Sequence, residues 1–361
     1  MYQYSQIKTV HLELSSKCNA SCPMCLRNIC GGALNPQLPL TELSLEDIKR
    51  IMPLDFVKQL KRIYMCGNYG DPIIARDTLE IFKFFRSENP SLNLSLFTNA
   101  GAKSSSWWRE LARVANSVHF SIDGLEDTNS IYRRGTDYKK IMENAESYIK
   151  EGGYAIWDFI VFHHNEQEVE TAKSLAKEMG FAEFVIKKTG RFFSNQKSQV
   201  KTEQIILDKK GNPDGALEMP KNPKYQNRSL QKEEELSKKH GSLHNYLNQT
   251  KVFCKVSREK SLYLSAEAFV FPCCWTANQL YPWYFKRNSS QIWKMIEQLP
   301  EKEDSLNAKK YSIQEIVQGD FFQKMIPNSW LAKDITRDKL RVCAKTCGQD
   351  FNPFADQFVS G

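Results

Sequence analysis

SSKCNASCPMCLRN, residues 15–28, sets Cys18, Cys22 and Cys25 on one short stretch, four and then three positions apart. Three thiols that close suit a disulfide, a zinc ion or an iron–sulfur cluster, and each choice makes a different protein. The flanks narrow the field. TVHLEL (9–14) precedes the cysteines, and further strand-like runs follow at RIYMCG (62–67), NLSLFTNAG (93–101), SVHFSIDG (117–124), AIWDFIVFHHN (155–165) and EFVIKKTG (183–190). Between them SLEDIKRIMPLDFVKQL, DTLEIFKFFRSE, SSWWRELARVAN, DYKKIMENAESYIKEG and NEQEVETAKSLAKEMG repeat apolar residues three and four apart, the helical spacing. Asn165 with Glu168 reads as a capping box for the last of these helices, and Gly180 as its stop.

Strict strand–helix alternation predicts an α/β fold of parallel strands with right-handed crossovers. The unusual residues sit at strand C-terminal ends: the cysteines after the first, Gly67-Asn68-Tyr69-Gly70-Asp71-Pro72 after the second, Thr98-Asn99 after the third, Ser121-Ile122-Asp123-Gly124 after the fourth. Barrel enzymes build their sites along that rim, whereas open sheets use one switch point, so the expected architecture is a partial (βα)6 TIM-like barrel.

The chain has 361 residues, 41% of them hydrophobic, enough for a large core and a smaller second unit. Its formal charge of +8 is spread over 50 basic and 42 acidic residues, which reads as a solvated surface rather than a nucleic-acid face. The start, MYQYSQIKTV, carries no secretory pattern, and no apolar run approaches the roughly 18 residues of a membrane span. A cytoplasmic protein is expected, in which clustered cysteines hold metal more often than they form disulfides.

A structural zinc needs four ligands, commonly as two separated pairs. The first loop offers three, with Cys30 or His11 as further donors, so zinc stays open by count. A cubane held by three thiolates leaves one iron for a small molecule. Cys18-Asn-Ala-Ser-Cys22-Pro-Met-Cys25, directly after the first strand, resembles the hallmark of radical S-adenosylmethionine (radical SAM) enzymes, and the likeness runs over residues 7–190. Gly67–Pro72 is similar to the family's Gly-Gly-Glu motif, with Asp71 in place of the usual Glu, and Thr98-Asn99-Ala100-Gly101 to its Thr-Asn-Gly. Ser121-Ile-Asp123-Gly124, followed by Tyr132-Arg133-Arg134-Gly135, resembles the segment that contacts the ribose and carboxylate of S-adenosylmethionine.

The resemblance implies a [4Fe-4S] cluster on Cys18, Cys22 and Cys25, and S-adenosylmethionine held by Gly70, Asp71, Thr98, Asn99, Ser121, Asp123 and Arg134. It also implies reductive cleavage to a 5′-deoxyadenosyl radical that takes a substrate hydrogen, fed by a flavodoxin or ferredoxin. Gly70 lets backbone approach that ligand closely. Asp71, Ser121 and Asp123 also suit turns and caps. Arg133 and Arg134 also read as solvated loop residues, Cys30 and Cys66 as free thiols, and His163 and His164 as bystanders.

Beyond residue 190 the composition changes. Residues 191–250 are polar, with a turn at DKKGNPDG and a charged run QKEEELSKKH, and read as an insertion or linker, either a partly mobile surface or a lid. In 251–361, SLYLSAEAFVFPCCW reads as a hairpin ending at Cys273 and Cys274, between Cys254 and Cys343-Ala-Lys-Thr-Cys347. This resembles the twitch, or short SPASM-like, domain of the same family. Ala268 stands where the SPASM pattern usually has glycine. One auxiliary [4Fe-4S] cluster on Cys254, Cys273, Cys343 and Cys347 is implied; zinc also satisfies the count. Cys274 is the alternative to Cys273, because neighbours on a strand face opposite ways.

A peptide or protein substrate is the expected reading, from the auxiliary cysteines and the long polar insertion. A sugar-type small molecule, oxidised or epimerised with the auxiliary cluster as electron acceptor, is the alternative. A metal-stabilised nucleic-acid binder, suggested by Trp107-Trp108 and the basic balance, is the third, and it lacks a dense basic stripe.

Overall fold

The computed structural model describes residues 1–194, 199–284, 286–354 and 356–360. Six strands, β1 (Thr9–Leu12), β2 (Arg62–Met65), β3 (Asn93–Thr98), β4 (Ser117–Ser121), β5 (Ala155–Ile160) and β6 (Glu183–Lys187), form where the apolar runs place them. Each pairs in parallel with the next in chain order, the βα barrel sequence. Helices cross between them as the spacing predicts, with two departures. Pro53 cannot donate a backbone bond, so 44–60 splits into Leu45–Ile51 and Leu54–Gln59. The Asn165–Glu168 capping box does not form: the helix starts at Val169, because Asn165 caps Phe162 and donates to the Asp123 carbonyl while Glu168 accepts from Thr128 and Leu125. Gly180, at φ +87°, ends that helix as expected.

Small hairpins follow: β7 (Phe193–Ser194) with β8 (Gln199–Val200), then β9 (Glu203–Leu207) with β10 (Pro213–Glu218). The expected hairpin of the last third is present as β11 (Ser261–Leu264) and β12 (Val270–Phe271). β11 pairs in parallel with β1, and β13 (Phe358–Ser360) pairs antiparallel with β6. One sheet therefore runs β12-β11-β1-β2-β3-β4-β5-β6-β13, and β1 and β6 do not meet, so the barrel is partial.

Strand alternation separates the two faces. Phe120 and Trp157 point to the helical side, where Phe120 packs against Trp108, Tyr148 and Phe181. Trp108 is fully buried there, so it is core rather than a base-stacking surface. The inner face carries His11, Tyr64, Phe97, His119, Asp158 and Lys187, joined side to side across β1–β6.

The 191–250 segment is built, not merely polar. Ile206, Leu217, Leu230, Leu236, Leu243 and Leu247 form a second core that takes in Cys22, Tyr132 and Phe162 of the barrel. Helix Ser229–Lys239 is tied to helix Arg341–Thr346 through Glu233 and Lys345. No helix among the described residues is long and apolar enough to cross a membrane.

Glu13 joins three strands at one point. Its carboxylate accepts the Tyr69 and Gly70 N–H groups after β2, at 2.7 and 3.1 Å, and the Tyr263 hydroxyl of β11. Burial pushes it up to about 7, against the pull of those donors. The folded chain thus binds this proton more tightly than the unfolded chain, and stability falls as pH rises from about 4.5 to 7, by about 3 kcal/mol. Glu13→Gln keeps an acceptor for the two N–H groups and is expected to flatten that slope in denaturant titrations across the window. Gly70 has a different constraint: a Cβ there would lie 1.7 Å from the Ser15 carbonyl oxygen. Gly70→Ala is expected to cost the upper end of about 1–3 kcal/mol or more in the same assay. At Gly152, at φ +87° with open space around it, alanine should cost only about 1–2 kcal/mol.

Candidate active site and metal centres

Cys18, Cys22 and Cys25 are free thiols on one loop beyond β1, with Cys22 buried and the other two partly exposed. A turn from the Cys25 N–H to the Cys22 carbonyl shapes the loop, and the Ser21 N–H bonds the Arg134 carbonyl, fastening it to the segment after β4. Donors converge on the sulfurs: the Ala20 N–H and Asn99 Nδ2 on Cys18 at 3.3 and 3.6 Å, and Arg133 on Cys22 at 3.8 Å. Burial pushes the Cys22 thiol up to about 11, although Arg133 pulls the other way, and pushes Cys18 higher still. Thiols of this kind lose their protons to a bound cation rather than to water, and N–H groups aimed at sulfur suit thiolates carrying cluster charge. This donor set fits an iron–sulfur cluster. Among the described residues no three His, Cys, Asp or Glu side chains close on a point as one metal ion requires. A cubane, whose thiolates each take a different iron, sets a wider spacing.

The buried carboxylates at the rim each reach from one loop to the next. Asp71 accepts the Asn99 N–H at 2.7 Å and the Thr98 hydroxyl at 2.8 Å, and caps its own turn through the Ile73 N–H. Burial pushes its carboxyl up against those donors. Asp123 accepts the Ile160 N–H at 2.6 Å and Arg133 at 2.5 Å. Burial works against the Arg133 charge, but Asp123 and Cys22 beside it more than offset that, so the guanidinium stays charged.

The expected site residues separate accordingly. Asp71, Thr98, Asn99 and Asp123 come together around the Cys18–Cys25 loop. Ser121 ends β4 on the inner face, opposite Asp158 in register. Gly70 reaches the loop too, though its close neighbour is the Ser15 carbonyl of the chain itself. Arg134 does not come: its guanidinium bonds Asp214 and the Leu207 carbonyl on the β9–β10 hairpin. Arg133, read from sequence as solvated, takes the place beside Cys22. Cys30 also turns away, its carbonyl bonding Leu207 N–H and its sulfur Gln204 Nε2. His11 lies on the inner face, bonded to the Cys66 carbonyl at 2.6 Å, and His163 pairs with Glu166.

A second thiol group lines a cavity of about 190 Å³ with His11, Tyr64 and Tyr263 of the barrel as one wall. Cys254 precedes helix Lys255–Glu259, and Cys343 and Cys347 lie one turn apart at helix Arg341–Thr346. Cys343 neighbours Cys254, Cys273 and Cys347. Cys274 lines the same cavity, half-buried, on the side of Cys66 and Glu13 toward the barrel. Glu13 and the His119–Asp158–Lys187 group are the polar residues that sequence reading passed over. Their signal was polar side chains at alternate positions of otherwise apolar strands.

No curated protein sequence matches the chain. Among solved structures it is similar to native anSMEcpe with bound AdoMet and Kp18Cys peptide, at 15% identity, covering 97% of this chain and 92% of that one, with a TM-score of 0.52. It is also similar to Streptococcus suis SuiB bound to precursor peptide SuiA, at 12% identity, covering 93% and 76%, with a TM-score of 0.52. At such identities the likeness is one of fold. Residues 12–176 match the Radical SAM superfamily, the span that carries the three-cysteine loop and its rim of buried carboxylates, so the chain carries a radical SAM domain.

Proposed function

We propose that this enzyme modifies a peptide or protein substrate by hydrogen abstraction, and that it carries an auxiliary cluster beside its barrel. The observation that carries the reading is the likeness of fold to two structures holding peptides, which spans more than nine-tenths of this chain, well past the matched domain. The second thiol cavity supports it, because it adjoins the barrel's inner wall. In this reading residues 1–190 form the radical SAM core, 191–250 an insertion and 251–361 the auxiliary-cluster domain of a cytoplasmic enzyme.

When bound, the first cluster and S-adenosylmethionine supply one-electron cleavage to the 5′-deoxyadenosyl radical, with the electron coming from a flavodoxin or ferredoxin. The chain's residues hold and orient. Cys18, Cys22 and Cys25 are the ligands, and the Asn99 and Arg133 donors facing two of their sulfurs stabilise thiolate charge. Asp71 fixes the Gly67–Asp71 and Thr98–Asn99 loops against each other, so that their backbone presents one surface to the methionyl group. Asp71 itself is already engaged by chain donors, and its role is positioning as much as contact. Ser121 and Asp123 line the ribose side, with Arg133 in the role first given to Arg134. Cys254, Cys273, Cys343 and Cys347 are the auxiliary ligands. Cys273 is favoured over Cys274 because it neighbours Cys254 and Cys343.

The deciding experiment is anaerobic reconstitution, followed by assay of iron, 5′-deoxyadenosine and peptide mass. Replacing Cys18, Cys22 and Cys25 by alanine should remove half the iron and all nucleoside product. Replacing Cys254, Cys343 and Cys347 should remove the other half; an unchanged iron count there would eliminate the auxiliary cluster. Arg133→Met is expected to cost about 3–5 kcal/mol of stability by stranding the buried Asp123 charge, and to weaken S-adenosylmethionine binding. Arg134→Met, at a half-exposed pair, should cost less than about 1 kcal/mol and leave that binding alone. Calorimetric titration with S-adenosylmethionine separates the two.

A further inference from the structure

The inner face of the barrel is not filled as a closed barrel core is, with layers of branched aliphatic side chains. On β4, β5 and β6 it carries His119, Asp158 and Lys187. Lys187 Nζ lies 2.6 Å and His119 Nδ1 3.2 Å from the same oxygen, Asp158 Oδ2. The other oxygen, Oδ1, is buried and has no hydrogen-bond partner among the described residues. The Asp158 side chain is 2% exposed, while those of His119 and Lys187 are 19% and 17% exposed. Phe97 stacks on the His119 ring at 3.9 Å and lies beneath the Lys187 ammonium at 5.8 Å. Asp158 stands two residues before Ile160, whose N–H is held by Asp123, so the group lies one strand layer, roughly 7 Å, below the rim that carries the cysteines.

Oδ1 is closed off from solvent, so Asp158 serves the face through Oδ2, which fixes Lys187 and His119 side by side. With Nδ1–H given to Asp158, neutral His119 leaves Nε2 as an acceptor. Lys187 has N–H groups beyond the one given to Asp158. The face therefore presents one charged donor beside one acceptor, flanked by an aromatic ring. A carboxamide has the complementary pattern, and its planar face suits Phe97.

We propose that His119, Asp158 and Lys187 form the anchoring subsite for an amide group of the substrate. Its carbonyl oxygen accepts from Lys187 Nζ, and its N–H donates to His119 Nε2, while Asp158 holds both side chains in place through Oδ2. This deepens the peptide reading above and rests on it. The amide is either a main-chain unit or an Asn or Gln side chain. These are positioning residues, set one layer beneath the radical source so that a residue next to the anchored amide meets it.

The test uses the anaerobically reconstituted enzyme with S-adenosylmethionine and a display library of short random peptides. Each peptide retained by the unmodified enzyme is remade with single main-chain N-methyl groups and, separately, with each Asn or Gln replaced by Met. Affinities are measured for the unmodified enzyme, for Lys187→Met, and for the charge-neutral Asp158→Asn/Lys187→Met variant, which strands no buried charge. One change in the peptide should weaken binding to the unmodified enzyme about tenfold to a hundredfold and weaken binding to either variant little further. Sensitivity to N-methylation assigns the main chain, and sensitivity in the Asn or Gln series the side chain. Retained peptides whose losses are the same in enzyme and variants, or that show no sensitive position, overturn the subsite alone. Retention of no peptide by the unmodified enzyme overturns the peptide reading and the subsite together.

Discussion

The rim of this barrel depends on buried carboxylates that each reach across to a neighbouring loop. Glu13, beyond β1, holds the backbone after β2; Asp71, after β2, holds the backbone at the end of β3; Asp123, after β4, holds the end of β5. Parallel strands end with N–H groups that the sheet leaves unpaired, and a carboxylate meets that demand with a charge-assisted bond. Such a carboxylate is expensive to bury alone, so each is surrounded by donors. The outcome is a stiff scaffold in which the three-cysteine loop, the Asn99 amide and the Arg133 guanidinium are fixed before any cofactor arrives.

Much of this was readable in advance. The six barrel strands and the intervening helices follow from alternation between two periodicities, and Pro53 and Gly180 act as their chemistry requires. The cysteine spacing, set at the end of the first strand, named the family. What failed to read through was direction. Arg133 and Arg134 are adjacent and chemically alike, and only the turn after helix Asn129–Tyr132 decides which one faces Cys22. Asn165 and Glu168 have the residue types of a capping box, but tertiary partners on the β4–β5 side claimed both side chains. The inner-face charges were hidden for a related reason: a lone His, Asp or Lys within an apolar strand looks incidental until neighbouring strands bring three of them together.

The insertion shows composition misleading in another way. Residues 191–250 are polar overall, yet their few leucines gather into a core that closes over Cys22 and Tyr132. The hairpin Glu203–Glu218 takes Arg134 and Cys30 for its own anchorage. A segment that reads as a linker is thus part of the wall around the cysteine loop, and it shields the most buried of the three sulfurs.

The pairing of β11 with β1 has a bearing on how the molecule is made. More than 240 positions separate Thr9 from its partner Ser261, and at the opposite margin β6 pairs with Phe358–Ser360. As the polypeptide leaves the ribosome, the central six-strand array has two uncovered borders, each able to recruit a foreign strand. Closing both falls to strands made after the array, β11 and β13, so protection against misassociation arrives with the same region that brings the second set of thiols.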